Sequence, residues 1–377
     1  MTTKSIPNST RRTLLKSVSG SLLCTVFPGA AFAESSEERS FSPHPGDWLN
    51  FDVTTTVNLQ NVTGPSKVWI PLPSVDSDWQ RSLRSDWTGN PTSVRVDSEK
   101  QYGAKYLIAE FDGSVPPELE VVSRVQTRDR AIDWSQSQPQ SANESANKLK
   151  QWTLSTSLIP TDGIVRVTSN QIVAGARSDV EKAQRIFDWI IVSTYREPKV
   201  RGCGTGDIKA MLETKNFGGK CGDINGLFVG LCRAAGLPAR DAYGLRLSPS
   251  AFGYKELSGN SASLKGAQHC RAEVFLRKHG WVAMDPADVG KVMRLETGTW
   301  IKDPDHPVVA PVRKALFGGW EGNWMAYNFA HDVSLPGSST GKVGFFMYPQ
   351  AEINGQAVDP LAPDAFRYTI SANRIVG

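Results

Sequence analysis

Ten consecutive residues, Asn50 to Leu59 (NFDVTTTVNL), alternate without a break. Phe51, Val53, Thr55, Val57 and Leu59 fall on one side, with Asn50, Asp52, Thr54, Thr56 and Asn58 on the other. A period of two sends successive side chains to opposite faces, so this is a half-buried antiparallel strand that needs a sheet around it and a core beneath it. Similar runs follow at SKVWIPL, TSVRV, KYLIAEF and ELEVVSRVQ, separated by Gly, Pro, Asp and Ser. Short strands with turn signals between them predict a β-sandwich-like domain over residues 34–134. No His or Cys cluster marks it, so its expected part is scaffold or recognition.

Residues 135–150 (SQSQPQSANESANKLK) are polar and almost free of apolar side chains, which reads as a linker. The period then changes. In SDVEKAQRIFDWIIVSTY, Ser178 and Glu181 have capping-box spacing, and Val180, Ala183, Phe187, Ile190 and Ile191 form one helical stripe. A second helix is predicted in FGGKCGDINGLFVGLCRAAGLPAR. Ile224, Leu227, Phe228 and Leu231 recur at helical spacing, Gly236 sits where a left-handed residue ends a helix, and Pro238 forbids continuation. In QHCRAEVFLRKHGWVAMDPAD alternation returns, on both sides of a turn at Lys278-His279-Gly280. Two antiparallel strands there would bring His269 and Asp285 to the same edge, with the register set by the turn. The class is therefore α+β, with a core over residues 151–300 and a C-terminal extension, 301–377, expected to pack on it.

The chain carries 42 Lys and Arg against 38 Asp and Glu. Lys4, Arg11, Arg12 and Lys16 account for the whole excess, within an acid-free stretch of 33 residues. That stretch runs from a basic region through a short apolar one to Ala31-Phe32-Ala33, the pattern of a cleaved secretory signal; Arg11-Arg12 ahead of Leu14-Leu15 looks like a twin-arginine signal. The expected location is periplasmic or secreted, without stable membrane insertion after cleavage. The remainder is charge-neutral and gives no bulk electrostatic case for nucleic acid. Four cysteines follow the signal, Cys203, Cys221, Cys232 and Cys270, at spacings of 18, 11 and 38 that match no paired zinc pattern. No metal and no cofactor is expected from them.

Cys221 differs from the others in position. It lies at a helix start, where free N–H groups and the helix dipole stabilise a thiolate. A neighbouring imidazole would complete an ion pair and later protonate a leaving group, and a carboxylate behind the imidazole would fix its tautomer. Cys221, His269 and Asp285 can fill these roles in chain order. Gly219 and Gly222 flank the cysteine and leave room for a substrate backbone. Asp223 reads as a complement to the helix dipole, and Glu273 and Arg240 as structural ion-pair partners. His331, beside Asp332, is the one rival base, although adjacent strand residues point to opposite faces.

Three blocks, GGKCGDINGLFVGLCRAAGLPAR, HCRAEVFL and GWVAMDPAD, resemble the transglutaminase-like superfamily, in particular its secreted bacterial members regarded as candidate cysteine peptidases. The resemblance implies a papain/transglutaminase-like core, a helix bearing the cysteine packed on an antiparallel sheet, beside the N-terminal β-sandwich-like domain. It assigns the nucleophile to Cys221, the base to His269 and the orienting acid to Asp285. It also makes Trp189 or Tyr195 a candidate oxyanion donor, beside the Cys221 backbone N–H. Arg271 departs from the pattern, since many members carry an aromatic two residues after the histidine. The implied activity is acyl transfer or hydrolysis at peptide or isopeptide bonds of a protein or peptide substrate, in the cell envelope if the signal is used. The alternative is a catalytically silent binding or scaffold protein of the same fold.

Overall fold

The computed structural model describes residues 39–59, 62–137 and 144–376. The segment expected to be an export signal and the middle of the expected linker lie outside the described residues.

Phe51, Val53, Thr55 and Val57 are buried along the strand Leu49–Asn58, and Leu59 just beyond it, as the alternation requires. This strand pairs antiparallel with Glu118–Thr127, which pairs in turn with Gln80–Gly89. A second sheet is built on Ser66–Leu72, paired with Lys105–Phe111, which is flanked by Ser93–Ser98. The two inner faces, including Phe51, Val53, Val68, Ile70, Leu107 and Val121, belong to one apolar core. Gln80–Gly89 is mostly exposed and carries no apolar period, so alternation could not find it.

The pairing redraws the domain outline expected from sequence. Residues 301–377 do not simply pack on the core. Tyr368–Ile375 pairs with Leu49–Asn58, and Gln350–Ile353 pairs with Ser66–Leu72, so the C-terminus completes both sheets of the sandwich. Backbone hydrogen-bonding groups on those two strands are thereby satisfied from a segment roughly 300 residues away in sequence.

The second half is helices on an antiparallel sheet. Its order is Gly280–Met284, Gln268–Leu276, Ala239–Arg246, Trp324–Asn328, the last again from the C-terminal region. The helix Cys221–Ala234 packs on this sheet and is buried on every side. Gly236, at φ 81°, ends it, and the N–H of Leu237 closes back on the carbonyl of Cys232. The helix Asp179–Ser193 covers it, with Ser178 accepting from the Glu181 N–H. Glu181 turns its own carboxylate to the Arg177 N–H, so the capping box is completed one residue early.

A side-chain amide is one of the joints between the sandwich and the second half. The Gln80 side chain donates to the Ala326 carbonyl and accepts from the Ala326 N–H, both at 2.7 Å, locking the sandwich to the edge strand of the second sheet. Beside it Trp79 stacks on Trp324 and meets Trp320 edge-on.

Candidate active site

Gly218-Gly219 run parallel to Tyr195-Arg196 before the chain turns into the helix at Cys221. A Cβ on Gly218 would lie 2.6 Å from the Tyr195 ring, so this close approach requires glycine. Asp223 secures the turn: its carboxylate accepts from the Lys220 N–H at 2.9 Å and the Gly206 N–H at 2.8 Å. It therefore ties the helix start to the loop carrying Cys203. As the first helical residue, Cys221 has a backbone N–H without an intrahelical acceptor, and its side chain sits at the positive end of the helix. The residue is 1% exposed.

His269 lies opposite Gly244, and Ala272 opposite Met284. Extending the second register by one step sets Asp285 beside Arg271, with His269 two residues further along the same face. The side chains meet accordingly: His269 Nε2 is 2.8 Å from Asp285 Oδ2, and Arg271 Nε is 3.4 Å from the same oxygen. Asp285 Oδ1 accepts from Asn225 Nδ2 at 3.0 Å and from the Asp288 N–H at 3.1 Å, capping the helix Pro286–Leu295. A second carboxylate, Asp288, lies 3.3 Å from His269 Nε2 and is held by Arg246 at 2.7 Å. All these groups are buried.

Charge follows from the packing. Burial opposes a charged imidazole, but the facing carboxylates of Asp288 and Asp285 outweigh it and push His269 up to about 10. Burial and repulsion from Asp288 raise Asp285, while Asp288, also buried, is held well below the usual carboxylate range by Arg246 and His269. The thiols of Cys203 and Cys270, then His269, stabilise charge on Cys221 and hold it well below an ordinary thiol, against the cost of burial. Both shifts favour a thiolate on Cys221 and a proton on His269. With Nε2 on the carboxylates, Nδ1 is the ring nitrogen left for the sulfur and the leaving group.

The remaining candidates divide. Glu273 is fully buried between Arg130 and Arg240, an ion-pair role apart from the His–Asp pair. Tyr195 borders the Gly218-Gly219 turn, while Trp189 stands edge-on to Phe217, 5.8 Å between centroids. His331 is buried against Tyr243, 3.2 Å from its hydroxyl, and 3.6 Å from Asp241; burial depresses it well below an ordinary histidine. Asp332 turns away to Ser157. Sequence reasoning missed Asn225, Asp288, Arg246, and the approach of Cys203 and Cys270 to Cys221. Two signals were available: Asn225 is one helical turn from Cys221, and Asp288 is three residues after the helix-capping Asp285.

A family model for the transglutaminase-like superfamily matches residues 166–286, which hold Cys221, Asn225, His269 and Asp285 but end before Asp288. An uncharacterized protein of Haemophilus influenzae is 34% identical over 345 residues, 86% of this chain and 91% of that one. The crystal structure of a candidate cysteine protease from Cytophaga hutchinsonii shares the fold at 12% identity, with a TM-score of 0.52 over 89% of this chain and 93% of that one. The periplasmic domain of TgpA from Pseudomonas aeruginosa is more distant, with 12% identity and a TM-score of 0.36 over 74% of this chain and 98% of that one. By sequence match, the chain belongs to the transglutaminase-like superfamily.

Proposed function

We propose that the protein is a thiol enzyme acting on amide bonds. The observation that carries this reading is the 2.8 Å contact of His269 with Asp285, in a buried cluster that also holds Cys221 at a helix N-terminus. The Cys221 thiolate attacks the carbonyl carbon. The developing oxyanion takes a hydrogen bond from the Cys221 N–H, with Tyr195, which borders the Gly218-Gly219 turn, as the further candidate donor. His269 gives its Nδ1 proton to the departing amine, leaving a thioester; water, deprotonated by the same nitrogen, then releases the acid and restores the thiolate. Asp285 holds the ring and its charge throughout.

Water is the proposed acceptor, and a peptide or protein of the cell envelope the proposed substrate. The signal-like first 33 residues support an exported, periplasmic location, and among the described residues no helix is long and apolar enough to cross a membrane. One observation favours a second reading, a binding protein without turnover: Cys221 is so deeply covered that a substrate must displace its neighbours to reach it.

Incubation with a peptide library and a labelled primary amine tests the proposal by mass spectrometry. Hydrolysis predicts new amino termini that vanish with Cys221→Ser. Amine incorporation would make the acceptor an amine, and neither product would favour the silent protein.

A further inference from the structure

Cys203, Cys221 and Cys270 converge from a loop, a helix start and a strand, and their Sγ atoms all lie within 4.8 Å of one another. Met347 stands behind them, its Sδ 4.0 Å from Cys270 Sγ, and all four side chains are buried. The arrangement is braced rather than incidental. The Cys203 carbonyl accepts from the Gly222 N–H at 2.8 Å, and the Cys203 thiol donates to the Gln268 carbonyl at 3.2 Å. The spacing of these cysteines in sequence matches no metal pattern, because three separate elements supply them.

The proposed reaction uses one of these thiols, and a disulfide would use two. Three thiols backed by a thioether form a donor set of another kind. Soft thiolate and thioether ligands select monovalent copper, whereas structural zinc calls for four Cys, His or carboxylate ligands. His269 contributes no nitrogen to this group of three sulfurs, and its Nε2 lies on Asp285. We propose that Cys203, Cys221 and Cys270 bind a single Cu(I) ion through their three sulfurs, with Met347 as a soft wall, and that the bound ion occupies the nucleophile. Cys203 and Cys270 each give a proton to solvent as their Cu–S bonds form, Cys221 binds as the thiolate it already is, and copper stays monovalent throughout. An ion needs far less room than a peptide, so burial that impedes substrate still admits this ligand. The blocking of activity rests on Cys221 being the nucleophile; the binding of the ion does not.

The test is anaerobic competition between the purified protein and the coloured Cu(I) complex of bicinchoninic acid. One equivalent should leave the chelator per chain. Cys203→Ser and Cys270→Ser should each weaken binding by at least about 10-fold, while Cys232→Ser, a core position, should match the wild type. X-ray absorption should show sulfur alone around the copper. A wild-type arm is free of folding effects: one equivalent of Cu(I) should protect Cys203, Cys221 and Cys270 together from alkylation. Failure to take copper from the chelator, protection of Cys221 alone, or unchanged affinity in both serine variants would overturn the inference. Copper binding is read without substrate, so an inactive chain that binds one ion leaves the site standing, and an active chain that binds none removes it.

Discussion

Asp288 Oδ2 lies 3.3 Å from His269 Nε2, the ring nitrogen that Asp285 already holds at 2.8 Å. Two carboxylates thus share one imidazole, and their environments separate them. Asp288 is neutralised by Arg246, whereas Asp285 is fixed by Asn225, by a helix N–H and by Arg271. Asp285→Asn keeps the shape and the cap but can present an N–H to the ring, which forces the wrong tautomer; turnover should fall about 10³- to 10⁴-fold. Asp288→Asn leaves Asp285 in place and should cost about 10-fold. Losing its negative charge makes the imidazolium easier to deprotonate, so the alkaline limb of the pH–rate profile should move down from near 10. Equal losses in both variants, with no movement of that limb, would contradict the assignment.

Asn225 joins three elements from the middle of the buried helix. Its Nδ2 donates to the Cys270 carbonyl and to Asp285, and its Oδ1 accepts from the Ala287 N–H at 3.1 Å. Asn225→Ala should destabilise the protein by about 1–3 kcal/mol, because the abandoned partners stay buried. It should also slow turnover beyond what lost folded protein explains, measured by denaturant melts beside activity per folded molecule.

Gly204 is at φ 91°, and a Cβ there would lie 1.8 Å from the Asp223 carboxylate. Gly204→Ala should therefore cost at least about 1 kcal/mol through strain, and more as Asp223 gives up the Gly206 N–H. Thermal melts compared with Gly236→Ala, whose added Cβ meets nothing within 4 Å, separate the steric part from the backbone part.

Asp241 is buried with neither carboxylate oxygen hydrogen-bonded, facing Arg233, Tyr243 and His331, and burial raises it to about 7. Its folded value lies above the unfolded one, so the native state keeps a proton that the unfolded chain releases. Stability from this group is present at low pH and lost as pH rises through about 4 to 7. Asp241→Asn removes that loss and should raise stability at pH 8 by on the order of 2 kcal/mol, with little change at pH 4. The same shift at both values would place the effect elsewhere.

What could be read from the chain follows from which interactions are local. The alternation at Asn50–Leu59 and the stripe at Ile224–Leu231 each report one element and the face it buries, and both faces are buried in the fold. His269 and Asp285 meet because one short turn links their strands, a distance sequence pattern can span. Asp288 enters through the helix that Asp285 caps, and Cys203 through a loop pinned by Asp223, contacts that no period encodes. The outline of the two halves was hidden for the same reason. Tyr368, Ile370 and Ala372 alternate with polar residues, but their partner, Leu49–Asn58, lies at the other end of the chain, a pairing no local period encodes.

The central claim is that Cys221 is a thiolate paired with His269, and alkylation rates measure it directly. Each cysteine is followed by mass spectrometry during iodoacetamide treatment from about pH 5 to about pH 9, in copper-free buffer, for the wild type and His269→Ala. The structure holds Cys221 well below the ordinary thiol value of about 8.5 and His269 near 10, so the pair persists between those limits. Cys221 should react at a nearly constant rate across the range in the wild type, and its inflection should move toward the ordinary thiol value in the variant. A Cys221 rate that climbs with pH like a free thiol, unchanged by His269→Ala, would contradict the account.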